Sequence, residues 1–401
     1  MVRRNLALGI CFIFVLLSVT TCVRRQARVE FRPVEALERV PIGGLQFEND
    51  DLDHTSLRKA IRRSLDYLSR LPTDSVFRFG PDSVSLQRMH RSLETFLMLL
   101  DKTDSAETLA REIRKYFQAY RATGSGAEHR VLFTGYYEPT IQGSLNCDDH
   151  YRYPIYTVPA DLVRIDLGRF RREYQGIQLV GRCAQNQVLP YYSRQEIDGE
   201  GILAGRDLEI VWVADPVSRF FLQIQGSGRV RLLDGSFIRL NYAASNGQPY
   251  RSIGKLLIEK QLVPKEAMSM QAIRRYLSEH PEQMDEILNY NPSYVFFQQA
   301  EQGPLGSLGV PITGGRSIAT DFSLFPRGAL GFIKTSKPLF SPDGVIGQWA
   351  VLERFVLNQD TGGAIKGPGR VDLFWGNGPL SRIAAGHMKH EGSLYFLVLK
   401  N

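Results

Sequence analysis

Three amphipathic stripes open the folded part of the chain. Leu57, Ile61, Leu65, Leu68 and Leu71 recur at steps of four and three, and Pro72 ends the run. That spacing puts one apolar face on a helix. Leu86, Met89, Leu93, Phe96, Leu97 and Leu100 set a second face. Leu109, Ile113, Tyr116, Phe117 and Tyr120 set a third. All three predict core-facing helices rather than cofactor contacts. The pattern changes at Gly124. Residues 130–137 favour a strand that Pro139 ends, and "LEIVWVAD" (208–215) alternates like a half-buried strand. "VRLLDGSFIRL" (230–240) carries β-formers on both sides of Asp234-Gly235, a hairpin signal. "QIQGSGRV" predicts a strand with Gln223 and Gln225 on one face, followed by a bend at Gly226-Ser227-Gly228. Helical spacing returns at 253–262, 269–280 and 281–290, and short strands with Gly and Pro turns are expected over 294–400.

The β-rich segments with Gly and polar residues, 133–139 and 360–378, lie far apart, and the stretch between them has helices of its own. An inserted domain explains this. The chain is expected to be mainly β with helices. One discontinuous domain spans 51–140 and 296–401, a second β-rich domain of 141–295 is inserted into it, and a cleft between lobes suits a long substrate.

The amino terminus reads differently. Arg3 and Arg4 precede fourteen mostly apolar residues (6–19), then small residues before Cys22. That is the order of a secretory signal covering 1–22, and the run is short of the roughly 20 residues a membrane span needs. Cys22 resembles the lipid-modified cysteine of bacterial lipoproteins, although Thr21 stands where Gly, Ala or Ser is usual. An uncleaved anchor helix is the competing reading. Residues 23–50 are polar, Arg-rich and aperiodic, and are expected to be a tether. The expected location is the periplasmic face of the envelope, at the outer membrane if Cys22 is acylated. Cys147 and Cys183 remain in the body, where an oxidising compartment would let them pair. No Cys/His spacing suggests a metal site, and His387 and His390 read as surface histidines.

Charge narrows the partners. Forty-nine basic residues against 42 acidic ones leave +7, which suits anionic lipid or an acidic wall polymer. No basic block with interleaved aromatics occurs, so nucleic acid is not an expected partner.

The chemistry centres on "QDTGGAIKGPGRVDLFWG" (359–376). Asp372 sits in an apolar run, where desolvation raises a carboxyl pKa and keeps the proton a general acid needs. An Asp capping a turn, or pairing with Lys366 or Arg370, is the structural alternative. Asp360, before Thr-Gly-Gly, and Asp321, before "FSLFPRG", read as turn residues. "FTGYYEP" places Thr134, Gly135, Tyr136 and Tyr137 together, with the two tyrosines on opposite strand faces. Gln225 and Ser227 suit hydrogen bonds to sugar hydroxyls and acetamides, and Trp375 joins the aromatics available to cover a sugar ring.

"VLFTGYYEP", "YPIY", "QIQGSGRV", "NGQPYRSIGKLL", "MSMQAIRRYL", "NPSYVFF" and "DTGGAIKGPGRVDLFWG" together resemble the membrane-bound lytic murein transglycosylase A family, over residues 130–400. The last hundred residues resemble the three-aspartate module, whose namesakes would be Asp321, Asp360 and Asp372. The resemblance implies a double-psi β-barrel, a second barrel-like domain inserted into it, and a glycan strand of peptidoglycan in the groove between. It implies cleavage of the β-1,4 bond from N-acetylmuramic acid to N-acetylglucosamine without water and without a cofactor. Asp372 would be the single acid/base, with Asp360 in support. A lysozyme-type hydrolase and a non-catalytic wall-binding protein are the rival readings.

Overall fold

The structure, a computed structural model, describes residues 32–401 apart from Ala127. The expected signal, Cys22 and the first part of the expected tether lie outside those residues. Eight strands form the main sheet, and six of them close into a barrel. Val131–Glu138 runs parallel to Arg370–Asn377, which is antiparallel to Ser317–Ala319. Ser317–Ala319 is parallel to Ile346–Asp360. Leu330–Phe340 and Lys389–Leu399 follow, each antiparallel to the last, and Lys389–Leu399 returns to Val131–Glu138. Closure leaves these strands without free edges.

The stripes of the first third form helices His54–Leu68, Leu86–Lys102 and Ala106–Tyr116. Asp53, Ser85 and Ser105 cap them by accepting from Ser56, Arg88 and Thr108 N–H groups. Their apolar faces share one core with barrel residues such as Val131, Phe355 and Val371. The third helix is shorter than its stripe. Phe117 and Tyr120 belong to the strand Phe117–Ala122, because that backbone is claimed by Lys389–Leu399 from the far end of the chain.

The tether also ends earlier than expected. Leu37–Val40 pairs with Phe117–Ala122, and Phe47 packs its ring 5.0 Å from that of Phe332. Asp50 meets the buried Arg316 at 2.6 Å, and Arg354 donates twice to Asp51, at 2.7 and 2.8 Å. Isolated anchors have no period, so the pattern of the sequence carried no trace of them. In the last hundred residues the strands are long, with 11, 15 and 11 residues in Leu330–Phe340, Ile346–Asp360 and Lys389–Leu399. A helix, Pro379–His387, interrupts them.

The middle of the chain forms a six-stranded sheet in the order Val295–Gln299, Phe237–Ser245, Ser227–Arg231, Thr140–Ser144, Glu209–Val213 and Tyr153–Tyr156. Val295–Gln299 straddles the expected boundary at 295/296, and its pairing places it in this sheet. A cluster of short helices packs beside the sheet through Val217, Phe221, Leu257, Ile273 and Leu277. One of these corrects the reading of "QIQGSGRV". Pro216–Gln225 is a helix, with Asp215 as its cap, Pro216 in its first turn and Gly226 in the left-handed conformation at its end. Gln223 and Gln225 therefore do not share a strand face. A small sheet of Leu162–Asp166, Gln178–Ala184 and Gln187–Pro190 stands apart from the larger two. Cys147 and Cys183 are exposed and not bonded to each other. Among the described residues, no helix is long and apolar enough to cross a membrane.

Candidate active site

Parallel pairing of Val131–Glu138 with Arg370–Asn377 sets Thr134 beside Asp372 and Tyr136 beside Phe374. Val371 and Leu373 are wholly buried in the barrel core, so alternation turns Asp372 and Arg370 the other way. Thr134 Oγ1 donates to Asp372 Oδ1. Arg370 Nη2 donates to Thr134 Oγ1 at 3.1 Å and lies 3.5 Å from Asp372 Oδ1. The hydroxyl thus receives one hydrogen and passes one on, which fixes the carboxyl plane. Both contacts fall on Oδ1. Among the described residues nothing donates to Oδ2, and the side chain keeps 20% of its exposure. Burial pushes the Asp372 pKa up, and the charge of Asp360 adds to that. Thr134 and Arg370 oppose the rise without cancelling it.

Asp360 has the same chemistry in a different setting. Its Oδ1 accepts from Ser307 N at 2.9 Å, Ser307 Oγ at 2.7 Å and its neighbour Thr361 N at 2.9 Å. Its Oδ2 accepts from Tyr136 O–H at 2.8 Å. Burial raises its pKa as well, against the pull of Ser307, Tyr136 and Thr361. The Tyr136 phenol is itself pushed well up, by burial and then by the Asp360 charge. Its ring centroid lies 5.1 Å from that of Phe374. Asp321 is buried and does another task. It accepts from Ser323 N–H and O–H with Oδ1 and from Gly367 N–H with Oδ2, at 2.9 Å for the last. It staples the glycine-rich loop that joins Asp360 to Asp372.

The other expected site residues are not all brought to the carboxyls. Trp375 turns to the opposite face from Asp372, and its Nε1 donates to Met388 Sδ at 3.4 Å. Gly135 is required for that packing: a Cβ there would stand 2.7 Å from Trp375 Cδ1 and Nε1. Tyr137 is buried on the face opposite Tyr136, and its N–H donates to Gln225 Oε1 at 2.9 Å. Gln225 therefore ties the helix Pro216–Gln225 to the strand behind Tyr136. Ser227 is buried in the second sheet, opposite Asn241.

Three residues of the site carried no signal of their own in the sequence. Ser307 comes from an aperiodic loop. Arg370 was legible only as a possible charge partner of Asp372. Tyr250 lies on a loop of the middle segment, and burial followed by the charge of Asp372 pushes its phenol up. Among the described residues no group of His, Cys, Asp and Glu side chains is arranged to hold a metal ion.

Comparison with known proteins is consistent across sequence and structure. The MltA specific insert domain matches residues 132–298 and the 3D domain matches 316–398. The chain is similar to the membrane-bound lytic murein transglycosylase A of Vibrio cholerae, 34% identical over 289 residues, covering 71% of this chain and 70% of that one. The protein of that name from Escherichia coli K12 is 34% identical over 292 residues, covering 72% and 71%. Among solved structures, a membrane-bound lytic murein transglycosylase from Agrobacterium tumefaciens aligns with TM-score 0.75 and 31% identity over 91% of this chain and 98% of that one. MltA from Neisseria gonorrhoeae aligns with TM-score 0.69 and 29% identity over 90% and 92%. E. coli MltA with bound chitohexaose aligns with TM-score 0.63 and 28% identity over 86% and 90%.

Proposed function

The chain belongs to the membrane-bound lytic murein transglycosylase A family, and from that premise we propose that Asp372 is the single acid and base with which it cleaves peptidoglycan. The observation that carries the assignment is the division of labour on its carboxyl. Oδ1 accepts from Thr134 and faces Arg370, so the proton of the neutral acid resides on Oδ2, the oxygen left free for substrate. Burial raises the pKa of this carboxyl and so favours the protonated form that a general acid needs.

The reaction then needs one carboxyl. Oδ2 gives its proton to the glycosidic oxygen as the bond to the muramoyl C1 breaks, and N-acetylglucosamine departs as the alcohol. The carboxylate, now facing Arg370 and Thr134, takes the proton of the muramoyl C6 hydroxyl as that oxygen bonds to C1. The products are a 1,6-anhydromuramoyl end and a regenerated acid. The nucleophile is intramolecular and held at high effective concentration. A hydrolase would place a second carboxylate with a free oxygen to direct water. Asp360, the nearest candidate, has both oxygens occupied by donors, which supports the route without water. Tyr136 and Tyr250 are the aromatic side chains best placed to hold a sugar beside Oδ2, while Asp360, Asp321, Gly135, Tyr137, Gln225, Ser227 and Trp375 act through packing and positioning.

The fold belongs to the same proposal. The closed barrel is of the double-psi type, and the inserted domain, expected over 141–295, extends through the strand ending at Gln299. Cys22 is the lipid-bearing residue that holds the enzyme at the outer membrane, so Cys22→Ser should move it to the soluble periplasmic fraction. Digestion of purified sacculi in ¹⁸O-labelled water tests the chemistry. Unlabelled muropeptides that resist borohydride are expected, and reducing ends carrying the heavy oxygen would replace this reading with a hydrolase.

A further inference from the structure

We propose that the outward face of the small three-stranded sheet, 162–190, docks on an anionic phospholipid bilayer. Residues opposite each other in an antiparallel pair point to the same side. Ile165 is opposite Leu179, Val163 opposite Gly181, and Cys183 opposite Val188. The complementary face holds Arg164, Val180, Arg182 and Leu189 by the same register.

The second of these faces is the inner one. Arg164 donates to the Ala243 carbonyl at 3.0 Å. Arg182 lies over the Tyr192 ring at 4.3 Å. Val180 sits so close to Gly247 that a Cβ there would come within 2.6 Å. Gly247 belongs to the loop that carries Tyr250, so the inner face supports that loop and the outer face points away from it.

The outer face is apolar, with Val163 and Ile165 half-buried and Leu179, Cys183 and Val188 exposed. Leu179 and Val188 are 50% and 52% exposed. The turns at the end of the sheet add Phe170, 74% exposed, with Tyr174 and Ile177 beside it. A contiguous patch of this kind is uncommon on a surface without a binding role. Its charge is one-sided: five arginines against Asp166 and Glu173 within 162–190. Arg169, Arg171 and Arg172 flank Phe170, and the ion pairs they make are long and open, at 3.8 Å to Asp166 and 3.4 Å to Glu173. Guanidinium groups around exposed aliphatic and aromatic side chains match the headgroup and acyl layers of an anionic membrane. Leu179, Val188 and Ile177 offer a glycan neither hydrogen bonds nor a stacking surface, so a wall polymer would engage only the aromatic and arginine part of this face. Wall cleavage is measured separately, so failure here leaves the reading of Asp372 untouched.

Two native cysteines make the test direct. Cys183 is exposed on the outer face, and Cys147 is exposed elsewhere. The full chain is bound to vesicles and alkylated with a charged maleimide, and each cysteine is read by peptide mass spectrometry. On phosphatidylcholine mixed with phosphatidylglycerol, Cys183 is expected to label at least about tenfold more slowly relative to Cys147 than on phosphatidylcholine alone, within the roughly hundredfold gain in binding that three arginines supply at an anionic surface. The triple variant R169E, R171E, R172E should abolish the difference while clearing walls normally. Equal Cys183 rates on the two vesicle types would overturn the proposal. Protection on neutral vesicles that grows with protein density would replace lipid by a second copy. Protection by sacculi without lipid would replace it by wall polymer.

Discussion

Asp360 and Asp372 are two half-buried carboxyls with raised pKa values and opposite degrees of satisfaction. Asp360 accepts four hydrogen bonds spread over both oxygens. Asp372 has its contacts on one oxygen and leaves the other open. Burial alone therefore does not make an acid catalyst. A carboxyl saturated with donors is a structural joint, holding the 307 loop, the 361 turn and Tyr136 together. A carboxyl with one oxygen fixed and one free has both an orientation and a proton to give. The pKa shift has the same direction in both, and geometry separates the roles.

That contrast can be broken by exchange of single groups. The largest expected effect is Asp372→Asn, which keeps shape but removes the proton. Wall-clearing activity should fall by at least about 10², and near-normal clearing would transfer the catalytic role elsewhere. Asp360→Ala should act chiefly on stability. It removes the acceptor of the half-buried Tyr136 O–H and of the exposed Ser307 N–H, a loss of about 1 kcal/mol read from denaturant midpoints. A variant of unchanged stability but without activity would make Asp360 a second catalytic acid.

Thr134→Val and Arg370→Gln address the fixed oxygen. Each should lower kcat by roughly one order of magnitude through misorientation of the carboxyl. Both groups hold the Asp372 pKa down against burial, so each variant should also move the alkaline limb of the pH–rate profile upward. A limb that stays in place would make these residues structural only. The smallest effect is on wild-type stability. Asp372 binds its proton more tightly folded than unfolded, so its contribution is full below the unfolded pKa and declines as pH rises through the raised folded value. Asp372→Asn should therefore be slightly more stable than wild type at neutral pH and match it at acid pH; thermal melts at the two pH values would show whether that gain exists.

Much of this site could be read along the chain, and the rest could not, for identifiable reasons. Local periodicity was enough for the three leading helices, because Leu57, Met89 and Leu109 repeat at spacings set by a single helix. The position of Asp372 in an apolar strand was equally local. The helix Pro216–Gln225 had its signals, Asp215-Pro216 before it and Gly226 after it, but glutamines at alternate positions imitate a strand. Phe117 and Tyr120 fit a helical stripe and are held in a strand by residues near the end of the chain. Ser307 reaches Asp360 across a separation of 53 residues, which no local window of sequence contains. Trp375 had the right chemistry for a sugar contact, but strand alternation turned it to Met388.

The bond between Thr134 and Asp372 joins residues 238 apart, and the last strand, Lys389–Leu399, is the one that closes the ring onto Val131–Glu138. Contacts so remote form late, after the entropy of the intervening loop has been overcome. A chain caught partway through synthesis or export carries Thr134 and Tyr136 without the carboxyls they serve. Until residue 372 and the strand Lys389–Leu399 are made, the chain lacks both the carboxyl proposed to cut the wall and the strand that closes the barrel around it.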